Sequence, residues 1–311
     1  MIHFGFKSIK LLMSNPYARG FLFLGGVLLL GLNVIGRIHS LRNPDIYHAS
    51  YNLFTNDIVL TEKQFYQEIT RHGETDAEYM IKATDAVNRG IAHYSQNGIG
   101  VAKFYHLPPS ENYLLWLSRY VSLAWKIPLG YQEQEVLWYR FANWRKSVER
   151  GTGLCGTHGQ VLMEVLRLNK VSARVVSLPE HVVVEASPDH GKTWWTLDAD
   201  YGVVIPESVM ALRSNPDVIA SYYRAKGYNP ATLKLLQKVI SEGTPEIKNS
   251  AIDMHGRWKV YFEYSSYYLI WIVPIVLMFP ALAYFVTALK RSLEPFKVKL
   301  AMVDQETIRN V

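Results

Sequence analysis

The chain has 311 residues, a hydrophobic fraction of 49%, a formal net charge of +6 and a single cysteine. That is enough chain for one substantial domain with appendages, and one thiol excludes an internal disulfide framework. The charge does not describe a nucleic-acid surface either. With the terminal flanks set aside, residues 37–265 hold 25 basic and 24 acidic side chains, whereas a nucleic-acid groove needs clustered cations on the domain itself.

Residues 20–36 (GFLFLGGVLLLGLNVIG) form the first apolar block, with no charge and only Asn33 strongly polar. The block is at the short limit for a span, because a helix rising 1.5 Å per residue must cross about 30 Å of hydrocarbon. It lacks the polar face of a core helix and the small-x-small cleavage site of a signal peptide, so it reads as an uncleaved anchor.

Residues 41–60 read as a poorly defined lead-in. Over 61–71 and 76–95 apolar residues recur at helical spacing, with Thr75 a plausible cap. Pro108-Pro109 marks a break, and 110–125 and 132–148 read again as helices. A loop, Gly151 to Gly156, is followed by a helix from His158 to Leu168. The period then changes: 171–178 and 181–186 are β-branched runs, 187–191 is a turn and 192–197 the returning strand. Short helices are expected near 207–212, 218–225 and 230–240. Helices first and a small sheet after make an α+β order, not βαβ alternation.

The second apolar block, 267–289, carries Tyr267, Tyr268 and Trp271 at one end and Tyr284 near the other, as interfacial rings would be placed. Its Pro274 and Pro280 are tolerated in a spanning helix if neighbouring groups satisfy the carbonyls they free. Lys7, Lys10, Arg19, Lys290, Arg291, Lys297 and Lys299 flank the spans on one side, against Arg37, Arg42, Arg257 and Lys259 on the other. That bias places both termini in the cytoplasm and the middle outside; the membrane expected is a bacterial cytoplasmic one. The expected division is a cytoplasmic flank 1–19, a span 20–36, an extracytoplasmic domain 37–265 with its motif core at 148–204, a span 266–289 and a cytoplasmic tail 290–311.

Three residues of the middle region carry chemistry together. Cys155 starts a helix, where unpaired backbone N–H groups and the macrodipole favour a thiolate and can serve a developing oxyanion. A hairpin centred between Asp189 and His190 would set His181 directly opposite Asp198, close enough for the carboxylate to orient the imidazole. The helix bearing Cys155 would have to pack against that same sheet face to complete a nucleophile.

Residues 148–204 resemble the core of the transglutaminase-like superfamily. That family shows a Gly-rich approach to Cys at a helix start, an Ala-Arg-x-Val strand, His-x-x-x-Glu, and Trp-x-x-Asp or Trp-x-x-x-Asp. Here these stand as Gly153-Leu154-Cys155, Ala173-Arg174-Val175-Val176, His181-Val182-Val183-Val184-Glu185 and Trp195-Thr196-Leu197-Asp198. The resemblance implies a papain-like core of helices packed on a small antiparallel sheet, flanked here by two transmembrane helices. It makes Cys155 the nucleophile, His181 the base and Asp198 the orienting acid, with no cofactor and no metal. It also implies a peptide or amide-bearing substrate, and hydrolysis more than transamidation. The family usually has Pro after the Asp, whereas Ala199-Asp200 follows here, so Asp200 competes; its place beyond the paired strands favours Asp198. Tyr139, Asn143 and Trp144 are all candidates for a side-chain oxyanion donor.

Plainer readings stand beside these. Cys155 could be a packed thiol, and the alternative to an enzyme is a non-catalytic scaffold or binding module of an envelope or surface-polymer assembly, with envelope proteins as partners. Cys155-x-x-His158 lacks the second ligand pair of a structural zinc site. Arg174 is expected to pair with a carboxylate, and Trp194 and Trp195 to pack on the sheet.

Overall fold

The computed structural model describes residues 15–47, 58–93, 102–125 and 139–309. Lys7 and Lys10, half of the 41–60 lead-in, and the start of the helix expected at 132–148 lie outside them. The described residues divide into two compact units.

The first unit comprises residues 1–38, 109–114 and 266–311. Helix α1 (Pro16–Ile38) is long and apolar enough to cross a membrane, as is the stretch Arg257–Glu294 of the last helix. Within the unit, Gly26 gives close approach to a neighbouring helix: a Cβ there would lie 2.7 Å from the Pro274 carbonyl oxygen. Gly36 is tighter still, since a Cβ would strike the Ser110 carbonyl at 1.8 Å. Small residues at such points let backbones meet. Asn112 Nδ2 donates to Ser266 Oγ at 2.8 Å, and Tyr267 OH to Glu111 Oε1 at 2.7 Å.

The second unit, residues 39–108 and 115–265, is a mixed α+β structure. Helices α2 (Glu62–Glu68) and α3 (Asp76–Gly90) both begin with capping boxes, Thr61 with Gln64 and Thr75 with Glu78. Helix α3 stops at Gly90, short of the expected 95, and the chain continues as a two-residue strand β1 (Ala92–His93). After α4 (Ala102–Tyr105), α5 (Pro109–Trp125) is kinked at Asn112. Helix α6 (Trp144–Arg150) is closed by Gly151 in the left-handed region (φ 71°). Arg42 clamps this corner, donating to the carbonyls of Leu60, Gly90 and Val148 at 2.6–3.2 Å.

Strand β2 (Thr152–Gly153) pairs in parallel with β1, His93 opposite Gly153, and runs straight into α7 (Cys155–Leu168). The main sheet follows: β3 (Ser172–Leu178), β4 (His181–Ser187), β5 (Trp195–Asp198) and β6 (Val203–Ile205). Helices α8 (Val209–Ser214), α9 (Pro216–Ala225) and α10 (Pro230–Glu242) precede an edge strand β7 (Glu246–Lys248). The order is β6-β5-β4-β3-β7, antiparallel throughout. A short α11 (Ala251–His255) leads to the 53-residue α12 (Arg257–Arg309).

Both faces of the sheet are covered, which explains apolar runs such as Val182-Val183-Val184 in place of strict alternation. Val175, Val184, Ala186 and Leu197 meet Val161, Leu162 and Val165 of α7 on one side. Val176, Leu178 and Val183 meet Leu212, Ile219, Tyr223 and Ile240 of α8, α9 and α10 on the other. Arg174 pairs with Glu185 at 2.7 Å and lies over the Trp194 ring, as expected of a fold-holding residue.

Two sequence expectations need correction. The β4–β5 hairpin pairs Val184 with Leu197 and Glu185 with Thr196, two residues out from the expected register. The turn is longer because Asp189 organises it, accepting from Ser187 Oγ, Thr193 N and Thr193 Oγ1, with His190 and Gly191 at positive φ. A shift of two preserves the faces, so His181 and Asp198 still share a side. That side, however, is the one covered by α9, where His181 meets Tyr201 and Asp198 meets Tyr223. The Cys155 helix packs against the opposite face and reaches His181 around the end of β4.

Candidate active site

Cys155 is the first residue of α7, whose N-cap, Leu154, offers no side-chain acceptor. The Cys155 and Gly156 amides, first in the helix, have no carbonyl inside it to receive them. The thiol is half-buried and lines a cavity of about 1050 Å3 together with His93, Arg140, His181, Asp200 and His255.

His181 and Asp198 are both buried, and His181 Nε2 donates to Asp198 Oδ2 at 2.7 Å. Tyr223 OH donates to the same oxygen at 2.6 Å, while Asp198 Oδ1 receives the amides of Asp200 and Tyr201 at 3.1 and 3.3 Å. The carboxylate is thus held at both oxygens, and Nδ1 is the His181 nitrogen left for the thiol. Cys155 Sγ lies within 4.8 Å of a nitrogen of that ring. Burial works to lower the pKa of His181, but the Asp198 charge and hydrogen bond, with the contribution of Cys155, raise it well above the ordinary value. Tyr223 is itself pushed up, first by burial and then by the Asp198 charge, so its hydroxyl stays a donor.

Asp200 belongs to a second cluster that the sequence pattern did not reveal. Asn88 of α3 fixes its backbone, donating to the carbonyls of Ala199 and Asp200 at 3.1 and 2.8 Å. His93 Nδ1 donates to Asp200 Oδ1 at 2.6 Å, and His158 Nδ1 lies 3.3 Å from the same oxygen. His158 Nδ1 also meets the Leu154 carbonyl at 3.0 Å and its Nε2 the Ile91 carbonyl at 2.9 Å, so both ring nitrogens face backbone carbonyls. Burial would raise the pKa of Asp200, yet the neighbouring His158 and His93 hold it at about 2. The competing carboxylate is therefore occupied in an ion cluster, with an oxygen still within 4.8 Å of Cys155 Sγ and a His181 nitrogen.

His255 closes the cavity from α11. Gln160 Nε2 donates to the Ala142 carbonyl at 2.6 Å, which fixes Oε1 as the acceptor for His255 Nε2–H at 2.8 Å. Desolvation, then Lys259 and Arg140, lower the pKa of His255 to about 3.

The three expected oxyanion donors are elsewhere. Tyr139 OH donates to Glu263 at 2.7 Å, Asn143 caps α6, and Trp144 sits in the core. His93, read from periodicity as helical, is instead brought beside Cys155 by the β1–β2 pairing. Its sequence signal was Gly90, the last residue of α3, where a Cβ would strike the Phe65 ring at 2.5 Å; Tyr223 and His255 carried none.

The arrangement can hold an imidazole between a fixed carboxylate and a thiol at a helix start, open to a cavity. Comparison with protein-family models, with curated proteins and with solved structures finds no match to this chain.

Proposed function

We propose that the protein is a membrane-anchored thiol enzyme of transglutaminase-like type that transfers acyl groups from amides or esters through Cys155, with the domain on the outer side of a bacterial cytoplasmic membrane. The observation that carries the reading is the position of His181: its Nε2 is fixed by Asp198 at 2.7 Å, and a His181 nitrogen lies within 4.8 Å of Cys155 Sγ. The proposed order follows from the geometry. Cys155 Sγ forms a bond to the substrate carbonyl carbon, and the proton from the thiol is held on His181. The Cys155 and Gly156 amides, together with the α7 dipole, stabilise the oxyanion. Collapse breaks the bond to the leaving amine or alcohol, which takes the proton from His181. Water or an amine then attacks the thioester with His181 as base, and the thiol is regenerated. We favour water as acceptor.

The test is alkylation of Cys155 by iodoacetamide in the full-length chain, with and without His181→Ala; the single thiol makes the readout unambiguous. The reading expects a rate well above that of a free cysteine at neutral pH, lost in the variant. A slow rate indifferent to His181 would overturn it and leave the non-catalytic scaffold.

A further inference from the structure

We propose that the cavity also binds one zinc ion through Cys155, His181 and Asp200, and that this ion is a reversible blocker of the thiol, not a resident cofactor. Cys155 Sγ, a His181 nitrogen and an Asp200 oxygen lie within 4.8 Å of one another. Four-coordinate zinc, with bonds of about 2.0–2.3 Å, holds its ligand atoms roughly 3.5 Å apart. Closing the triangle on an ion therefore takes about an ångström of side-chain movement. Thiolate, imidazole and carboxylate are a donor set suited to zinc.

Three features go beyond the spacing. The outer shell is already built: His181 Nε2–H is held by the Asp198 carboxylate, the arrangement that aims the other nitrogen at a metal. Tyr223 fixes that carboxylate in turn, and His93 holds Asp200. The donors also have the right sign, since a thiolate and the Asp200 carboxylate both present anionic atoms to the ion. Finally, the cavity leads to the triangle and leaves room for water at a fourth position. The neighbouring group His93, His158 and Asp200 has comparable spacing, but both His158 nitrogens are already engaged by the carbonyls of Leu154 and Ile91. His158 is buried and does not line the cavity, whereas Cys155, His181 and Asp200 do, so the ion belongs on the thiol side.

Binding replaces the proton on Sγ and any proton on His181 Nδ1 with the ion; both protons go to solvent and nothing is oxidised. The Sγ electron pair then bonds zinc and is withdrawn from acyl attack. The inference needs only the donor atoms and stands whether or not the thiol performs acyl transfer.

The experiment uses the full chain in detergent, with Co2+ as spectroscopic substitute and Zn2+ as the ion. One Co2+ per chain is expected, with a thiolate-to-metal band in the near ultraviolet and the strong visible bands of a four-coordinate site, all displaced by Zn2+. Zinc should protect Cys155 from iodoacetamide, and a chelator should restore reactivity. Cys155→Ser should lose the near-ultraviolet band, and Asp200→Asn should weaken zinc binding at least tenfold. Should the Asp200 variant unfold, His181→Gln replaces it with the same expectation. No thiolate band, no protection of the wild-type thiol, or equal zinc affinity in Cys155→Ser would each overturn the site. Metal-free alkylation of His181→Ala tests acyl-transfer activation separately, so either reading can fail alone.

Discussion

His181 Nε2 meets the Asp198 carboxylate at 2.7 Å, although the β4–β5 register, continued past Asp198, would bring Asp200 across from His181. The diagonal partner wins because Asp200 is turned toward His93 and His158, while Asp198 is held by Tyr223 and by two backbone amides. Asp198→Asn keeps the shape but offers one acceptor oxygen where the carboxylate has two. Alkylation of Cys155 at neutral pH is expected to fall at least tenfold, with the folded state retained by circular dichroism. An unchanged rate would remove Asp198 from the proposed triad.

Tyr223→Phe separates orientation from charge. The hydroxyl is buried and donates a 2.6 Å hydrogen bond to a carboxylate, an interaction worth about 1.5–3 kcal/mol. The variant is expected to lose stability in that range, read from a urea titration. It should alkylate only a few-fold more slowly, because the Asp198–His181 bond survives. A loss as large as that of Asp198→Asn would mean that the tyrosine, not the carboxylate, sets the imidazole.

His255 predicts a specific acid weakness. Its folded pKa of about 3 lies below the ordinary value of 6.5, so the unfolded chain binds the extra proton between those limits. Stability supplied by the neutral ring is complete above pH 6.5 and is lost as pH falls toward 3, by at most about 1.4 kcal/mol per pH unit. Lys259 and Arg140 are the cations that oppose its charging. His255→Gln keeps a donor for Gln160 and cannot be protonated. Its urea midpoint should sit at or below wild type at pH 7 and close on or overtake wild type by pH 5; parallel pH curves would contradict the assignment.

How much of this was legible in the sequence depended on the range of the interaction. Thr61 and Thr75 announce their capping boxes within four residues, and Cys155, His181 and Asp198 stand out at motif spacing. The register failed because Asp189 builds a turn longer than its dipeptide signal suggests. The wrong sheet face for the Cys155 helix failed for another reason: both faces are apolar, so patterning could not say which helix covers which. His93 and Gly153 pair across a separation that no periodicity records.

The two long apolar helices offer the most direct link between a sequence anomaly and its remedy. Pro274 has no N–H, so the Ile270 carbonyl four residues earlier loses its helical partner. Asn33 Nδ2 donates to that carbonyl at 2.5 Å and Tyr113 OH at 3.2 Å, both buried. Asn33, the one strongly polar residue of the first apolar block, thus answers a proline in the second. Asn33→Leu should destabilise the detergent-solubilised chain by about 0.6–2 kcal/mol in a denaturant titration. Pro274→Ala returns an N–H to Ile270 and should reduce the dependence on Asn33. In the double variant the cost of losing Asn33 should shrink by at least half, a coupling that a double-mutant cycle measures directly. Additive effects would mean that Asn33 acts through packing alone.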